Sequence, residues 1–341
     1  MTEAAKRILI PQRLSAAAQA GAAPGAVLHS LSGESMGTRW TVKLSAPPRA
    51  LEPLQRLVQA ELDRVVAEMS SWQADSELCR YNAAEAGSWQ QLPDGFFEVM
   101  QQALLVADDS AGAYDPTAGP LVDCWGFGPA PRRSTPPSSE EITNALAQVG
   151  WQRVRLDVTH RRLLQPGGAQ LDLSAIAKGY GVDLLARALA AQGLHHYLVE
   201  VGGELRGQGC KPDGSPWWVQ LEAPDAQAGH APILLALDGL AVASSGDYRR
   251  YFESGGQRYA HTIDPRDGWP LRHELASVSV VHTSCMRADA LSTALFVLGL
   301  EQGLQYASQH GLAAHFVERH AGESGPIYQE RWSPALEALL E

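Results

Sequence analysis

Residues 286–299, MRADALSTALFVLG, narrow the folds open to this chain more than any other stretch. Ala294, Leu295, Phe296, Val297 and Leu298 follow one another without a polar break, so a helix built here is apolar all round over its later turns. Such a helix has to be buried by other elements. Its first two turns nevertheless carry Asp289, Ser292 and Thr293 at i, i+3 and i+4, an arc of about 100° on one face. Two explanations are open for a carboxylate and two hydroxyls at the entrance to a core. One is a hard-cation site, because oxygen ligands of this kind suit Mg2+ or Ca2+ and not zinc. A single carboxylate cannot hold such an ion tightly, so ligand phosphates and a backbone carbonyl would complete the shell. The other is local: Asp289 favours the helix N-terminus, and Ser292 and Thr293 bond back to carbonyls one turn earlier.

Elements able to bury that helix are legible elsewhere. Trp40, Val42 and Leu44 alternate with Thr41 and Lys43, the period of a strand. Leu54, Leu57, Val58, Leu62, Val65, Val66 and Met69 recur at spacings that predict an amphipathic helix, with Pro53 near its first turn. PDGFFEVMQQALLVADDSAGA predicts a second, ending near Gly112. The Pro- and Ser-rich stretch 128–141 predicts a loop whose end, Ser138 or Ser139 ahead of Glu141, caps a short helix running to Gly150. RVRLDVTHRRLLQP reads as a hairpin, with a helix as the alternative. AQLDLSAIAKGYGVDLLARALAAQGL reads as a strand, a glycine-containing turn and a helix closed by Gly193. HYLVEVGGELRGQG reads as strand, Gly-Gly turn, strand; PWWVQLEAP, ILLALDGLAVASSGDYRRYF, QRYAHTID and ELASVSVVHTS read as further strands. Helices and strands interleave without a regular βαβ period, which predicts a mixed α+β fold. Residues 1–28, Ala-rich and without a convincing pattern, predict a loosely ordered leader with some helix, leaving one domain over 29–335.

A net charge of −11 argues against nucleic acid as a partner, because phosphate binding needs a basic footprint. Cys79, Cys124, Cys210 and Cys285 form no CxxC pair, which argues against a zinc site or a redox dithiol. The only apolar run near the start, Ile8 to Ile10 before Pro11, is too short for a signal peptide, and no cysteine nearby offers a lipid attachment site. No stretch approaches the ~18 apolar residues of a membrane span. As written the chain reads as cytoplasmic, or as periplasmic if the true start lies upstream.

Three further clusters carry possible chemistry. In LDLSAIAKGYGVD (171–183), Asp172, Lys178, Gly179 and Gly181 surround a helix start. Glycine inside a helix costs about 1 kcal/mol against alanine, so something approaches this backbone closely, either an anionic or polar ligand or a sheet packed tightly on the helix. In RYAHTIDPRDGWP (258–270), His261 and Asp264 flank Ile263 at a strand end; they suit a general base with its orienter, or a hydrogen-bonded His beside a turn-capping Asp. In GAYDPTAGPLVDCWGFG (112–128), Trp125 and Phe127 sit between glycines, where they line a planar ligand or plug a core; Trp72 follows a helix in a similarly exposed setting.

Taken in order, SMGTRWTV, SSWQADSELCRYN, GAYDPTAGPLVDCWGFG, LDLSAIAKGYGVD, VEVGGELRGQG, VASSGDYRRYF, HTIDPRDGWP and ADALSTALFVLG resemble the ApbE-like family of FAD:protein FMN transferases, from about residue 31 to 318. The resemblance implies an ApbE-like, T-fold-related single large domain with mixed, largely antiparallel sheets packed with helices. It implies an enzyme that binds FAD with Mg2+ and moves FMN onto a Thr or Ser hydroxyl of an acceptor flavoprotein, forming a phosphoester and releasing AMP. Metal ligands carry over onto Ala175 (through its carbonyl), Asp289, Ser292 and Thr293. Flavin and nucleotide contacts carry over onto Met36, Trp72, Ala113, Tyr114, Asp115, Asp172, Lys178 and Ile263, and His261 matches the histidine of the family's H-x-I-D-P segment. His261 and Asp289 are the catalytic candidates. Two positions depart: Asp267-Gly268 stands where the family has Thr-Gly, bringing a negative charge toward a phosphate-binding region, and Ser244-Ser245-Gly246 replaces Thr-Ser-Gly. The same site with water as acceptor would be a Mg2+-dependent FAD pyrophosphatase, and with no chemistry a FAD-binding or delivery protein.

Overall fold

The computed structural model describes residues 7–224, 232–248, 250–322 and 325–340. Eight strands form one sheet: Val27–Ser35 (β1), Thr38–Ala46 (β2), Tyr197–Val201 (β3), Glu204–Gln208 (β4), Leu240–Gly246 (β5), Leu275–His282 (β6), Ala313–His320 (β7) and Ile327–Trp332 (β8). Their order across the sheet is their order along the chain. Every neighbouring pair is antiparallel. The helices are insertions in this meander. Residues 47–196, between β2 and β3, carry Glu52–Met69 (α1), Asp94–Asp109, several shorter helices and Ala177–Ala191 (α2); Cys285–Gln309 (α3) joins β6 to β7.

Strand alternation divides the two faces. On β5, Ala241 and Ala243 face the helices, whereas Val242 faces a small second sheet of Arg7–Leu9, Ile233–Leu237 and Trp217–Gln220. The α3 residues Ala290, Leu291, Ala294, Leu295 and Phe296 pack against Ala243, Val278 and Val280, with the helix Asp94–Asp109 closing the layer outside. Leu54, Val58 and Leu62 of α1 and Val182, Leu185 and Leu189 of α2 cover Trp40, Val42, Val199 and Val201. Burial of each large apolar side chain contributes about 1.5–3 kcal/mol, enough collectively to carry a polar entry turn of α3 into the interior. The mixed, antiparallel α+β architecture expected from the sequence is the one observed.

Two local expectations are corrected. Residues 7–28 are not a loosely ordered leader: Arg7–Leu9 pairs in parallel with Ile233–Leu235, and β1 already begins at Val27. Ser15 caps the helix Ala16–Ala20 and donates from N and Oγ to the buried Asp238 at 2.7 and 2.6 Å. A three-residue strand has too few positions to show a period, which is why the pattern is silent there. Residues 1–6 lie outside the described residues. The stretch 169–173, expected as a strand, joins no sheet. The Asn82 side chain stands in for a neighbouring strand, accepting from Leu171 N–H at 2.8 Å and donating to Leu171 C=O at 3.1 Å.

Candidate active site

The site is built where α2 crosses α3. A side-chain carbon at Gly179 would lie 2.4 Å from the Cys285 carbonyl oxygen and 2.8 Å from Asp289 Cβ, so only glycine lets the helices approach this closely. The approach brings Gly179 N–H onto Asp289 Oδ2 at 2.9 Å. One turn further along α2, the buried Asp183 caps α3. It accepts from Ser284 Oγ at 2.7 Å and from the Cys285 and Met286 amides at 3.1 Å, and it pairs with Arg206. Asp289 is thereby fixed from two directions. Gly179 thus permits close packing, against a helix rather than against the sheet that the motif suggested.

Asp289 faces a cavity of about 320 Å3. Of the residues singled out from sequence, Met36, Ala113, Tyr114, Asp115, Asp172, Ala175, Lys178, His261, Ile263 and Thr293 line the same cavity. Met36 sits at a positive φ of 52° in the tight turn between β1 and β2, a conformation that costs about 1 kcal/mol or more and aims it at the cavity wall. Ser292 and Trp72 do not line it. Ser292 is fully buried and donates back to the Asp289 carbonyl at 2.9 Å, the local bond of a mid-helix serine. Trp72 is 62% exposed on the surface.

The cavity floor is charged and incompletely paired. Lys178 forms an ion pair with the buried Glu204. Burial favours a neutral amine, but the carboxylates of Asp289 and Glu204 outweigh it and hold Lys178 protonated. Burial raises the pKa of Glu204 against the pull of Lys178, and Asp289 adds to the rise. Asp289 is raised as well, by burial, with Lys178 and the Gly179 amide opposing. Glu204 Oε2 and the Tyr114 hydroxyl are buried without a hydrogen-bond partner. An orphaned buried oxygen costs about 1–3 kcal/mol, and both belong to residues that line the cavity.

His261 donates from Nδ1 to the Arg250 carbonyl at 3.1 Å, which leaves Nε2 as the acceptor of the ring. The ring keeps partial exposure at the cavity, yet protein crowds most of its surroundings. Burial, followed by the positive Arg250, lowers its pKa to about 4. Asp264 does not orient it: that carboxylate is taken by Arg266 at 2.7 and 2.8 Å. A backbone carbonyl does the work expected of the carboxylate. The aromatic pair also divides. Phe127 lines the cavity, edge-on to His261, whereas Trp125 is fully buried, stacked on Tyr259 and donating to the Gly268 carbonyl at 2.8 Å. Asp115 spends one oxygen on its own loop, accepting from Thr117, and the other on the Trp151 amide. Asp172 likewise accepts from Ser174 N–H at 2.8 Å.

Known proteins share this fold. The chain matches the ApbE family over residues 36–316. It is 38% identical over 298 residues to the FAD:protein FMN transferase of Haemophilus influenzae, covering 85% of this chain and 86% of the relative. The apo crystal structure of the flavinyl transferase ApbE of Pseudomonas stutzeri superposes with a TM-score of 0.84 at 42% identity, over 92% of this chain and 97% of that one. The flavin transferase ApbE of Vibrio cholerae gives the same score at 34% identity, over 92% and 99%. The chain belongs to the ApbE family.

Cavity residues of this ApbE-family chain that the sequence reading did not single out include Thr38, Glu204 and Arg250. Glu204 had a usable signal. It follows the Gly202-Gly203 turn at a register that strand alternation buries, an unusual place for a carboxylate. Ser245 bonds Ser292 Oγ at 2.9 Å and Thr293 Oγ1 at 3.0 Å, an adjacency made only by packing β5 on α3. Asp267 is exposed and caps Trp269 N–H at 2.8 Å; it does not line the cavity, so its charge stays out of the site. Among the described residues no three His, Cys, Asp or Glu side chains gather to hold a metal unaided, and no helix is long and apolar enough to cross a membrane.

Proposed function

We propose that this protein transfers the FMN half of FAD to a Thr or Ser hydroxyl of an acceptor protein, with Mg2+ as cofactor and AMP as the second product. The observation that carries the reading is the convergence of Ala175, Lys178, His261, Asp289 and Thr293 on one cavity.

The donor set fits a hard cation. Asp289, the Thr293 hydroxyl and the Ala175 carbonyl would hold Mg2+, with Ser292 behind them as a packing residue, and the phosphates of FAD would complete the shell. Held by these residues, Mg2+ would supply charge neutralisation to the diphosphate and the leaving AMP. Lys178, kept protonated by its neighbours, supplies a fixed positive charge to the same phosphates. The orphaned Tyr114 hydroxyl gains a partner when a polar ligand enters. Asp172 and Ile263 wall the cavity for the rest of the substrate.

His261 is neutral at physiological pH and can accept the acceptor's hydroxyl proton on Nε2, while the Arg250 carbonyl keeps Nδ1 protonated. The new bond joins the acceptor oxygen to the phosphorus of the riboflavin side. The bond that breaks runs from that phosphorus to the bridging oxygen, whose electron pair leaves with AMP. A pKa of about 4 makes the free-enzyme histidine a weak base; the negative diphosphate entering beside it raises that value and strengthens it.

The test is product analysis with FAD, Mg2+ and a Thr-containing acceptor. Acceptor mass increased by FMN, with one AMP released per FMN attached, is expected. Free FMN plus AMP, whatever the acceptor, identifies a pyrophosphatase instead, and intact FAD identifies a binding protein.

A further inference from the structure

Beside the main cavity lies a second, of about 450 Å3, bounded by Phe127, Arg132 and Arg133 on one side and by Arg250, Tyr251 and Phe252 on the other. Phe127 and Arg250 wall both cavities, and the Arg250 carbonyl holds His261, so the second space adjoins the base itself. Three features characterise it.

The first is charge. Arg133 is paired with Glu141 and anchored on the Cys124 carbonyl, and Arg250 donates to the Phe127 carbonyl at 2.8 Å. Arg132 is exposed and pairs with no carboxylate among the described residues. In a chain of net charge −11 this is a local reversal of sign. The second is backbone. The strand Tyr251–Ser254 pairs only with Gln257–Ala260 among the described residues, so its other edge presents free N–H and C=O groups. The third is a fixed aromatic surface. Tyr251 is 47% exposed, with the Arg258 guanidinium 3.8 Å from its ring centroid on one face.

We propose that this groove docks the acceptor, as an extended acidic segment that adds to the Tyr251–Ser254 edge and delivers its hydroxyl to His261. The proposal rests on the flavin-transfer reading above. A peptide backbone satisfies a bare strand edge, which a nucleotide cannot do, and acidic side chains complement Arg132. The other claimant to the arginines, the adenylate half of FAD, is an outcome of the test.

Two ten-residue fluorescent peptides serve as probes, each with a central Thr, one flanked by Asp and Glu and one by Lys. Binding is read by anisotropy with FAD present, and FMN transfer by mass. The full chain is expected to bind the acidic peptide at least about tenfold more tightly than the basic one, with the preference shrinking as salt rises. Arg132→Glu is expected to erase or reverse that preference while FAD affinity stays within about twofold, and Arg132→Lys to retain it. Equal binding of the two peptides, binding of neither, or weakened FAD rather than peptide binding in Arg132→Glu each overturns the docking proposal. If the acidic peptide binds with the expected signature and no FMN is transferred, the groove stands and the transfer reading fails.

Discussion

Gly179→Ala tests the geometry on which the site depends. The added carbon would meet the Cys285 carbonyl oxygen at 2.4 Å, about 1 Å inside ordinary contact. A backbone carbonyl on a buried helix cannot swing aside, so α3 has to retreat from α2 by roughly that distance. Overpacking of this kind costs about 1–3 kcal/mol. The Gly179 to Asp289 hydrogen bond, 2.9 Å as built, is lost with it, removing about 1.5–3 kcal/mol for a charged acceptor. Alanine returns about 1 kcal/mol of helix propensity. Net destabilisation is therefore about 2–5 kcal/mol, measured as the shift in urea midpoint. Catalysis suffers beyond stability, because a displacement near 1 Å at the reacting groups costs about 100-fold. The assay is FMN transfer at a temperature where circular dichroism shows the variant folded, titrated with Mg2+. An alanine variant of wild-type stability, turning over at the wild-type rate at the same Mg2+ concentration, would refute the claim that this crossing sets the position of Asp289.

Other perturbations separate the roles of neighbouring groups. Asp289→Asn keeps an acceptor for Gly179 N–H but removes the charge, so the fold should survive while Mg2+-dependent transfer falls by more than in any His261 variant; calorimetric Mg2+ titration in the presence of FAD reads the loss. His261→Ala should slow transfer by about 10²–10⁴-fold with FAD affinity retained, measured by flavin fluorescence. His261 also predicts a pH effect on stability. Its folded pKa of about 4 lies below the usual 6.5, so its contribution is complete above about pH 6.5 and is lost as pH falls toward 4; the difference in Tm between wild type and His261→Ala should change over that window and be flat above it. Asp183→Ala takes the carboxylate from Arg206 and the acceptor from the Cys285 and Met286 amides, and should cost about 3–5 kcal/mol in a denaturant titration.

Regular elements were legible because their signals are local. The alternation of Trp40, Val42 and Leu44, the 3–4 spacing from Leu54 to Met69 and the Ser138–Glu141 capping box all appear in the structure as read. The buried character of α3 was equally plain from its composition; the mixed α+β class followed from the interleaving of strands and helices, and the largely antiparallel sheet from the family resemblance. What the sequence hides is substitution of one partner for another of similar chemistry. Asn82 replaces a strand beside Leu171, and a carbonyl of Arg250 replaces Asp264 beside His261. Ser292 and Thr293 look alike in the helix pattern, yet only Thr293 reaches the cavity; a rotation of one residue, 100° about the axis, decides it. Glu204 and Arg250 lie on segments distant from α3 in the chain and join it only through the order of the sheet.

That order has a further consequence. Strands β3 to β8 follow one another with no gap longer than a helix or a short sheet excursion, whereas β2 and β3 are joined across residues 47–196. This seam is the costliest junction to zip, since ring closure over a long segment is entropically dear and such distant partners meet slowly. Met36 and Thr38 lie on its far side, and Tyr114, Asp172 and Lys178 lie within the segment it encloses. Opening at this one boundary would dismantle the cavity while the remaining strands stay zipped, and amide exchange along Trp40–Leu44 and Tyr197–Val201 would measure it.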